Sequence, residues 1–442
     1  MRAGPCGLPS LSWNGMVSVA QNKKRYHYPR AWSLLAYSFI CYFLTGTVSS
    51  IVNVATTFLS ADRGWDAGLI AASMSIASLV NVVTGFIAGR ATTGHSAKRL
   101  CFVWGAFYIA GIVCMGPAPT LGVFIVSLVV ANAASSAWGY NTVPVIITNW
   151  FPTKKGSVQG FVSMGILLGS FSTFLFSWAY RNFGMVFSTV PFALIAAVAL
   201  VLLAFGVSDA PEQRGLAPDT MERIPVKADF DPTRQSEVDS DDMLARSATR
   251  TYLHDPRFLA MGAVLGLQLV YAGGVMVQVV PRLMEQGFTL DEAMLALVIS
   301  SVCAAVGSFA FGVVGDRFGV NSGVRISFIV GAIAMLVNLT GVRPLVYLSL
   351  ILIGMVVGCA DNWPVGVCAE LYGREGFSAS FGVMLPLVQL IGAVGPALIA
   401  LIASVSGSYD ASYAFCAVMM LAGLVVYELI VRHGGQAQQH GE

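Results

Sequence analysis

Twelve apolar runs dominate this sequence, and each is long enough to cross a lipid bilayer as a helix. A helix needs roughly 20 apolar residues to span about 30 Å of hydrocarbon. Only 11% of the 442 residues are charged and 56% are apolar, whereas a soluble domain carries about 25% charged residues. We therefore predict an all-α membrane protein. Its spans, numbered 1 to 12 in chain order, are 31–59, 67–89, 100–117, 120–150, 156–179, 184–207, 258–281, 290–314, 324–341, 344–370, 377–404 and 411–431.

One long polar segment divides these spans into two sets of six. Residues 208–257 hold eleven Asp and Glu residues and several prolines, which is typical of a linker outside the membrane. The predicted organisation is a tail (1–30), a six-helix bundle (31–207), the linker (208–257), a second six-helix bundle (258–431) and a second tail (432–442). Translation could start at Met1 or at Met16.

The basic residues lie almost entirely on one side of the predicted spans. Of the 25 Lys and Arg residues, all but Arg63, Arg181, Arg282 and Arg343 fall in segments on the side of the N-terminus, and we assign these four to loops on the other side. Because Lys and Arg are retained in the cytoplasm, both termini are expected there, with the chain in the cytoplasmic membrane. No Lys, Arg or His is expected deep in a span.

The two halves repeat one another. Span 2 ends GFIAGRATTG and span 8 ends GVVGDRFG, and both place a glycine five residues before an arginine. Spans 4 and 10 also correspond: at an offset of 220 residues, Asn141 matches Asp361 and Pro144 matches Pro364. Such internal repeats are a mark of secondary transporters built from duplicated bundles.

The segment GVVGDRFG resembles the loop motif of the major facilitator superfamily, Gly-x-x-x-Asp-Arg-x-Gly. The resemblance covers about 31–431 and implies two pseudo-symmetric six-helix bundles that alternate access to a central cavity. The motif positions are Gly85, Arg90, Gly312, Asp316, Arg317 and Gly319. Gly89 stands where the first copy usually has Asp. The gate of that half must therefore be closed by other contacts, or more loosely.

A narrower resemblance links the chain to the oxalate/formate antiporter branch and its monocarboxylate relatives. It is carried by NWFPTKKG (149–156) and SGSYDASYAF (406–415), among others. Those relatives place a substrate-binding arginine in span 8, where this chain has Ser308. Since desolvating a dianion without a cation costs several kcal/mol, the similarity extends to the scaffold and we do not expect oxalate as the substrate.

The superfamily resemblance implies that spans 1, 4, 7 and 10 face the cavity. In span 1, polar residues recur every three or four positions, which places them on one helical face. Serine and threonine in spans often bond their own backbone, and Asn or Gln often join helices. As a set, these residues predict a lining for a small solute: Thr45, Ser49, Asn53, Asn132, Ser136, Trp138, Tyr140, Asn141, Gln268, Tyr271, Gln278, Asn362, Trp363 and Gln389.

Asp361 is the most unusual residue of the chain, because it lies deep in the apolar span 10. A charged carboxylate there costs about 2.5–3.5 kcal/mol on insertion scales, and taking up a proton removes that cost. Three roles stay open: a proton carrier, a neutral acid bonded to neighbouring helices, or the partner of a cationic amine substrate. Pro364 permits a kink beside it. Glu370 could pair with Arg374 at a spacing of four.

These features together predict a secondary active transporter of a small organic solute, such as a monocarboxylate or an aromatic compound, driven by protons. An organic-anion antiporter is the alternative, and a non-transporting sensor is a remoter one. Scattered acids and spans without histidine argue against an enzyme. No metal, cofactor or nucleic-acid partner is expected. The partners are the solute, protons and the lipid bilayer, and the chain is expected to act as a monomer.

Overall fold

The computed structural model describes residues 28–214, 218 and 250–439, and helices occupy all twelve spans. The predicted all-α class is confirmed for these ranges. The tail residues 1–27 and 440–442 and most of the linker lie outside the described residues. The helices are Tyr28–Arg63, Ala67–Gly94, Ala97–Met115, Leu121–Trp150, Lys155–Ser170, Ser172–Gly206, Pro256–Glu285, Leu290–Phe318, Val320–Asn338, Arg343–Ala360, Trp363–Gly392, Gly395–Ser406 and Tyr409–Gln439.

Two glycines with positive φ separate neighbouring spans inside long helical stretches. Among the described residues, 11 stretches are apolar and long enough to cross a membrane. One of them, Lys155–Gly206, has 52 residues, which is enough for two crossings. Gly184, at φ 79°, divides it into spans 5 and 6. Gly373, at φ 62°, divides span 10 from span 11 in the same way. A residue with a Cβ rarely adopts this conformation, so glycine allows the chain to turn there.

Side chains at the helix starts satisfy backbone amides that have no partner within the helix. Asp66 accepts from the amide of Leu69 at the start of span 2. Thr289 and Glu292 form a reciprocal capping box at the start of span 8. Such caps stabilise a helix by about 1 kcal/mol each. They lie at the ends of the apolar runs, which confirms the predicted starts of these spans within a few residues.

Large apolar side chains cover the outer surface of the bundle. Leu79, Phe174, Phe187 and Val405 are all more than half exposed. In water such exposure would be unfavourable, whereas hydrocarbon tails solvate these side chains. The polar side chains of the spans lie mostly inside, as the predicted stripes require.

The first half (28–214) and the second half (250–439) meet along two helix crossings: span 5 packs on span 8, and span 2 packs on span 11. We call the end of the bundle that carries Arg90, Gly156, Asp316 and Arg374 the motif face, and the other end the opposite face. The span 5–8 crossing reaches the motif face through the bonds of Asp316 described below, and the span 2–11 crossing reaches it where Gly89 meets Gly382.

Spans 4 and 10 both depart from regular α-helix shortly before a proline. In span 4, residues Ala137–Thr142 form a π-helical segment ahead of Pro144. In span 10, the helix ends at Ala360, residues 361 and 362 form a turn, and a new helix begins at Trp363 with Pro364 in its first turn. The kink predicted at Pro364 therefore lies at Asp361 and Asn362, where the backbone keeps right-handed helical dihedral angles but the Asn362 amide bonds the Cys359 carbonyl three residues back.

Arg282 corrects the sequence prediction, because it lies inside the helix of span 7 and not in a loop. Its side chain is 2% exposed. The guanidinium bonds Asn338 at 3.1 Å, Glu285 at 3.0 Å and Asp410 at 2.5 Å. These acids neutralise its charge at the opposite face, within the second half. The sequence placed Arg282 outside because it follows a proline near the end of an apolar run.

Candidate functional site

A polar cluster joins the two halves near the middle of the bundle. Gln159 of span 5 donates to the Tyr42 hydroxyl of span 1 at 2.5 Å. Ser163, one turn further along span 5, donates to Asn362 Oδ1 of span 10 at 2.8 Å. Asn362 Nδ2 in turn donates to the Ser308 hydroxyl of span 8 at 2.8 Å.

We call these five residues, with Tyr140 and Asp361, the central cluster. The Ser308 hydroxyl donates back to the carbonyl of Gly160 at 3.0 Å, so spans 5, 8 and 10 are bonded to one another. The ring of Tyr140 contacts that of Tyr42, with centroids 5.7 Å apart. Hydrogen bonds between spans contribute about 0.6 kcal/mol each on average. The cluster therefore fixes how the halves meet without holding them irreversibly.

Asp361, the seventh member of this cluster, lies at the helix break. Its side chain is half-buried, while its neighbour Asn362 is buried. Tyr42 and Tyr140 lie within electrostatic range of the carboxylate. Among the described residues, no hydrogen bond or ion pair to the Asp361 side chain is found. The carboxylate therefore remains able to exchange a proton or to bind a solute.

The predicted site residues omit four members of the cluster: Tyr42, Ser308 and, on span 5, Gln159 and Ser163. The signal for the two residues on span 5 is their spacing. They are four residues apart, so they share one face of span 5. That spacing, next to the glycines of GSVQGFVSMG, was the available signal. Gln159 Oε1 is buried and has no hydrogen-bond partner among the described residues, which gives the cluster an unused acceptor.

The twelve-span architecture, with two halves that meet around a central polar cluster, matches a known family. The sequence profile of the Major Facilitator Superfamily matches residues 38–300 and 272–440. The chain belongs to this superfamily. No curated protein sequence matches the chain significantly.

Solved structures of other superfamily transporters share the fold. The chain is similar to the proton:xylose symporter XylE with a TM-score of 0.70 and 13% identity, covering 90% of this chain and 95% of that one. It is similar to the human organic anion transporter MFSD10 (TETRAN), with a TM-score of 0.65 and 13% identity over 90% and 99% of the two chains. FucP in its outward conformation has a TM-score of 0.63 and 14% identity, over 90% and 98%. These comparisons support a superfamily transporter and not the narrower oxalate/formate branch.

The second copy of the superfamily loop motif bonds across the two halves. Asp316 accepts from the backbone amides of Gly156 at 2.8 Å and Ser157 at 2.7 Å, in the first turn of span 5. A carboxylate at a helix N-terminus is stabilised by the free amides and the helix dipole. Gly312 packs against Gly156 at the same crossing, and Gly319 has a φ of 84° where span 9 begins. Arg317 is exposed.

The first copy of the motif is packed differently. Gly85 lies against Pro386 and Asn141, and Arg90 is exposed. An ideal Cβ on Gly89 would lie 2.3 Å from the Cα of Gly382 in span 11. An aspartate at position 89 is therefore excluded, because the backbones of spans 2 and 11 touch there.

Of the predicted lining residues in the first half, Tyr140 belongs to the central cluster, whereas Thr45, Trp138, Asn132 and Asn141 form hydrogen bonds within their own half. Thr45 donates to the carbonyls of Cys41 and Ser135, both at 3.0 Å. Trp138 donates to Tyr37 at 2.6 Å within the first bundle. The remaining side chains are distributed as follows: Asn132 accepts from Asn81 at 3.2 Å, Asn141 bonds the Ser136 carbonyl at 3.1 Å, Ser136 is buried, and the side chains of Ser49 and Asn53 lie outside the described residues.

In the second half, Asn362 and Asp361 join the central cluster, and the other predicted residues do not. Gln268 donates to Ser327 of span 9 at 2.7 Å. Trp363 packs edge-on against Phe311 of span 8, with centroids 6.1 Å apart. The others contribute no bond to the cluster: Tyr271 is buried among spans of its own half, Gln278 is buried, and Gln389 is half-buried.

Proposed function

We propose that the chain is a proton-coupled secondary transporter of a small organic solute, and that Asp361 carries the coupling proton. The observation that supports this most directly is a half-buried carboxylate at a helix break, beside the cluster through which the halves are bonded. In the proposed cycle, one six-helix half rocks against the other.

Protonation of Asp361 provides a physical link between the proton gradient and the movement of the halves. Tyr42, Tyr140 and Cys359 lie within electrostatic range of Asp361, and none of these three groups is a cation. A charged carboxylate at this depth costs about 2.5–3.5 kcal/mol. Loading a proton removes that cost and changes the field at Asn362, the residue that bonds spans 5 and 8.

The composition of the central cluster also bears on the substrate. Tyrosine rings supply flat apolar area, and hydroxyl and amide groups supply hydrogen bonds. None of the hydrogen bonds found for the cluster among the described residues involves a basic side chain. We infer a neutral, partly apolar solute that carries hydroxyl groups or an aromatic ring. A monocarboxylate would enter this site only together with a proton, and an organic-anion antiporter would lack a fixed positive charge here.

The distribution of basic residues supports the cytoplasmic membrane as the location, with both termini and the motif face in the cytoplasm. The described part of the linker lies at that same face. The transport unit we propose is the monomer, because one chain supplies both halves of the site.

The proposal is tested with purified protein in proteoliposomes. A panel of labelled sugars, aromatic solutes and monocarboxylates is first screened for uptake driven by an inward proton gradient. With any solute that is taken up, Asp361→Asn should reduce gradient-driven uptake to the level of protein-free liposomes. Exchange of internal for external solute should persist, because it needs no net proton movement.

Asp291→Asn is the matched control, since Asp291 is an exposed acid at the opposite face and its loss should leave both activities unchanged. Undiminished gradient-driven uptake by Asp361→Asn would remove this residue from the coupling mechanism. Equal loss of both activities would assign it to solute binding instead.

A further inference from the structure

Two different kinds of contact close the motif face, one for each copy of the repeat. In the second copy, Asp316 caps the first turn of span 5 across the two halves. In the first copy, Gly89 has no side chain and no room for one. A charged contact between the start of span 11 and the first half must therefore come from another residue.

Arg374 provides that connection, just ahead of the first turn of span 11. Its two terminal nitrogens donate to the two carboxylate oxygens of Glu212, at 2.6 and 2.8 Å. Glu212 belongs to the first half, in the short turn Pro211–Arg214 that follows span 6. A bidentate pair between arginine and carboxylate is among the stronger hydrogen-bonded contacts in proteins.

The segment that carries Glu212 is itself fixed to the first half. We call residues 207–214 the strap. Asp209 accepts from the Ser96 hydroxyl and the Lys98 amide, both at 2.5 Å. The Ser208 carbonyl accepts from the indole of Trp150 at 2.8 Å. Because the strap is bonded to spans 3 and 4, a force that acts on Glu212 also acts on the whole first bundle.

The electrostatics of the pair favour its charged form. Partial burial alone would raise the pKa of Glu212, but the hydrogen bonds from Arg374 and its own backbone amide lower that pKa overall. A lowered pKa means that the pair contributes stability above the ordinary carboxyl pKa of about 4.3, and that this contribution is lost as the pH falls below it. At neutral pH the strap is therefore charged and closed.

We propose that Glu212 of the strap replaces the missing aspartate of the first motif copy, and that the Glu212–Arg374 pair latches the motif face until the halves separate there. The two gates then differ in kind. Asp316 binds backbone amides at a helix end, whereas the strap uses a partly exposed ion pair that salt can screen. The proposal rests on the proposed function only in that the face must open during transport.

The test measures opening directly and needs no substrate. Cys368 of span 10 is fully buried near the motif face, close to Lys155 of the first half. In purified full-length protein at neutral pH, its labelling by a maleimide is followed peptide by peptide with mass spectrometry. Glu212→Gln and Arg374→Gln should each speed this labelling by about tenfold, the effect of losing one charge-assisted pair. The reversed pair, Glu212→Arg with Arg374→Glu, should return the rate to within about twofold of the native one.

Glu428→Gln is the matched control, because it breaks the Arg325–Glu428 pair at the same face but within the second half. It should leave the labelling of Cys368 unchanged. A native rate in Glu212→Gln, or a reversed pair as fast as the single variants, would overturn the proposal. If a variant fails to fold, the unmodified protein provides the test. The rate of its Cys368 labelling must rise as the salt concentration rises, and a rate independent of salt would refute the latch. These outcomes do not depend on Asp361, so the two proposals can fail separately.

Discussion

Spans 4 and 10 occupy equivalent positions in the repeat, yet their breaks are bonded in opposite ways. In span 4, Asn141 donates to the carbonyl of Ser136 at 3.1 Å, within its own helix. In span 10, the residue that follows Asp361 is Asn362, which bonds Ser163 and Ser308 on two other spans. The side chain at the span 4 break bonds its own helix, whereas the side chain at the span 10 break forms part of the contact between the halves.

This difference indicates how a duplicated scaffold becomes asymmetric. A π-helical turn keeps its backbone bonds in a wider register, so span 4 bends without giving up its internal connections. The turn in span 10 instead directs the Asn362 side chain to other spans, where it bonds Ser163 of the first half and Ser308 of the second. The break that depends on the other half is therefore the one suited to sense whether the halves are together.

The largest expected effect comes from moving the acid between the two breaks. Asn141→Asp combined with Asp361→Asn places one carboxylate at the equivalent position of span 4. Gradient-driven uptake in proteoliposomes should stay near background, because position 141 lies against Gly85, which also meets Pro386 at the span 2–11 crossing. Uptake restored to half of the native rate or more would show that either break can couple protons.

A second, intermediate effect is expected on stability. Asn362→Ala removes two buried bonds between spans and should destabilise the protein by about 1–2 kcal/mol. Thr142→Ala at the equivalent position of span 4 should cost less than about 0.5 kcal/mol, because the bond that its hydroxyl makes among the described residues is to the Ala137 carbonyl of its own helix. Thermal denaturation in detergent measures both, and equal losses would contradict the asymmetry.

The sequence revealed the repeat but not the partners of its breaks. Apolar length located the spans, and the offset of 220 residues identified Asp361 and Asn141 as equivalent. Periodicity also shows which residues of one helix share a face. It does not show which neighbour that face meets, so Trp138 and Trp363 could not be assigned to the interior of their own bundles.

Pairing between distant segments was equally inaccessible from local spacing. The predicted pair of Glu370 with Arg374 is wrong: Glu370 accepts from the amide of Val320 at 2.9 Å, and Arg374 binds Glu212. Helical spacing predicts pairs only within a continuous helix, and Gly373 interrupts the helix between these two residues. A glycine directly before the arginine was the signal that the spacing rule would fail.

The smallest effect is expected from the two prolines. Pro364→Ala restores an N–H that can bond the Ala360 carbonyl, so the helix of span 10 should continue through Asp361. Amide exchange of residues 361–366 should then slow, and gradient-driven uptake should fall about two- to fivefold, with no loss of stability. Pro144→Ala should change neither by more than about twofold, because the amide of Val143 already bonds the Trp138 carbonyl in the π segment. If the two substitutions act alike, the breaks are equivalent hinges, and the polarity of span 10 alone distinguishes the halves.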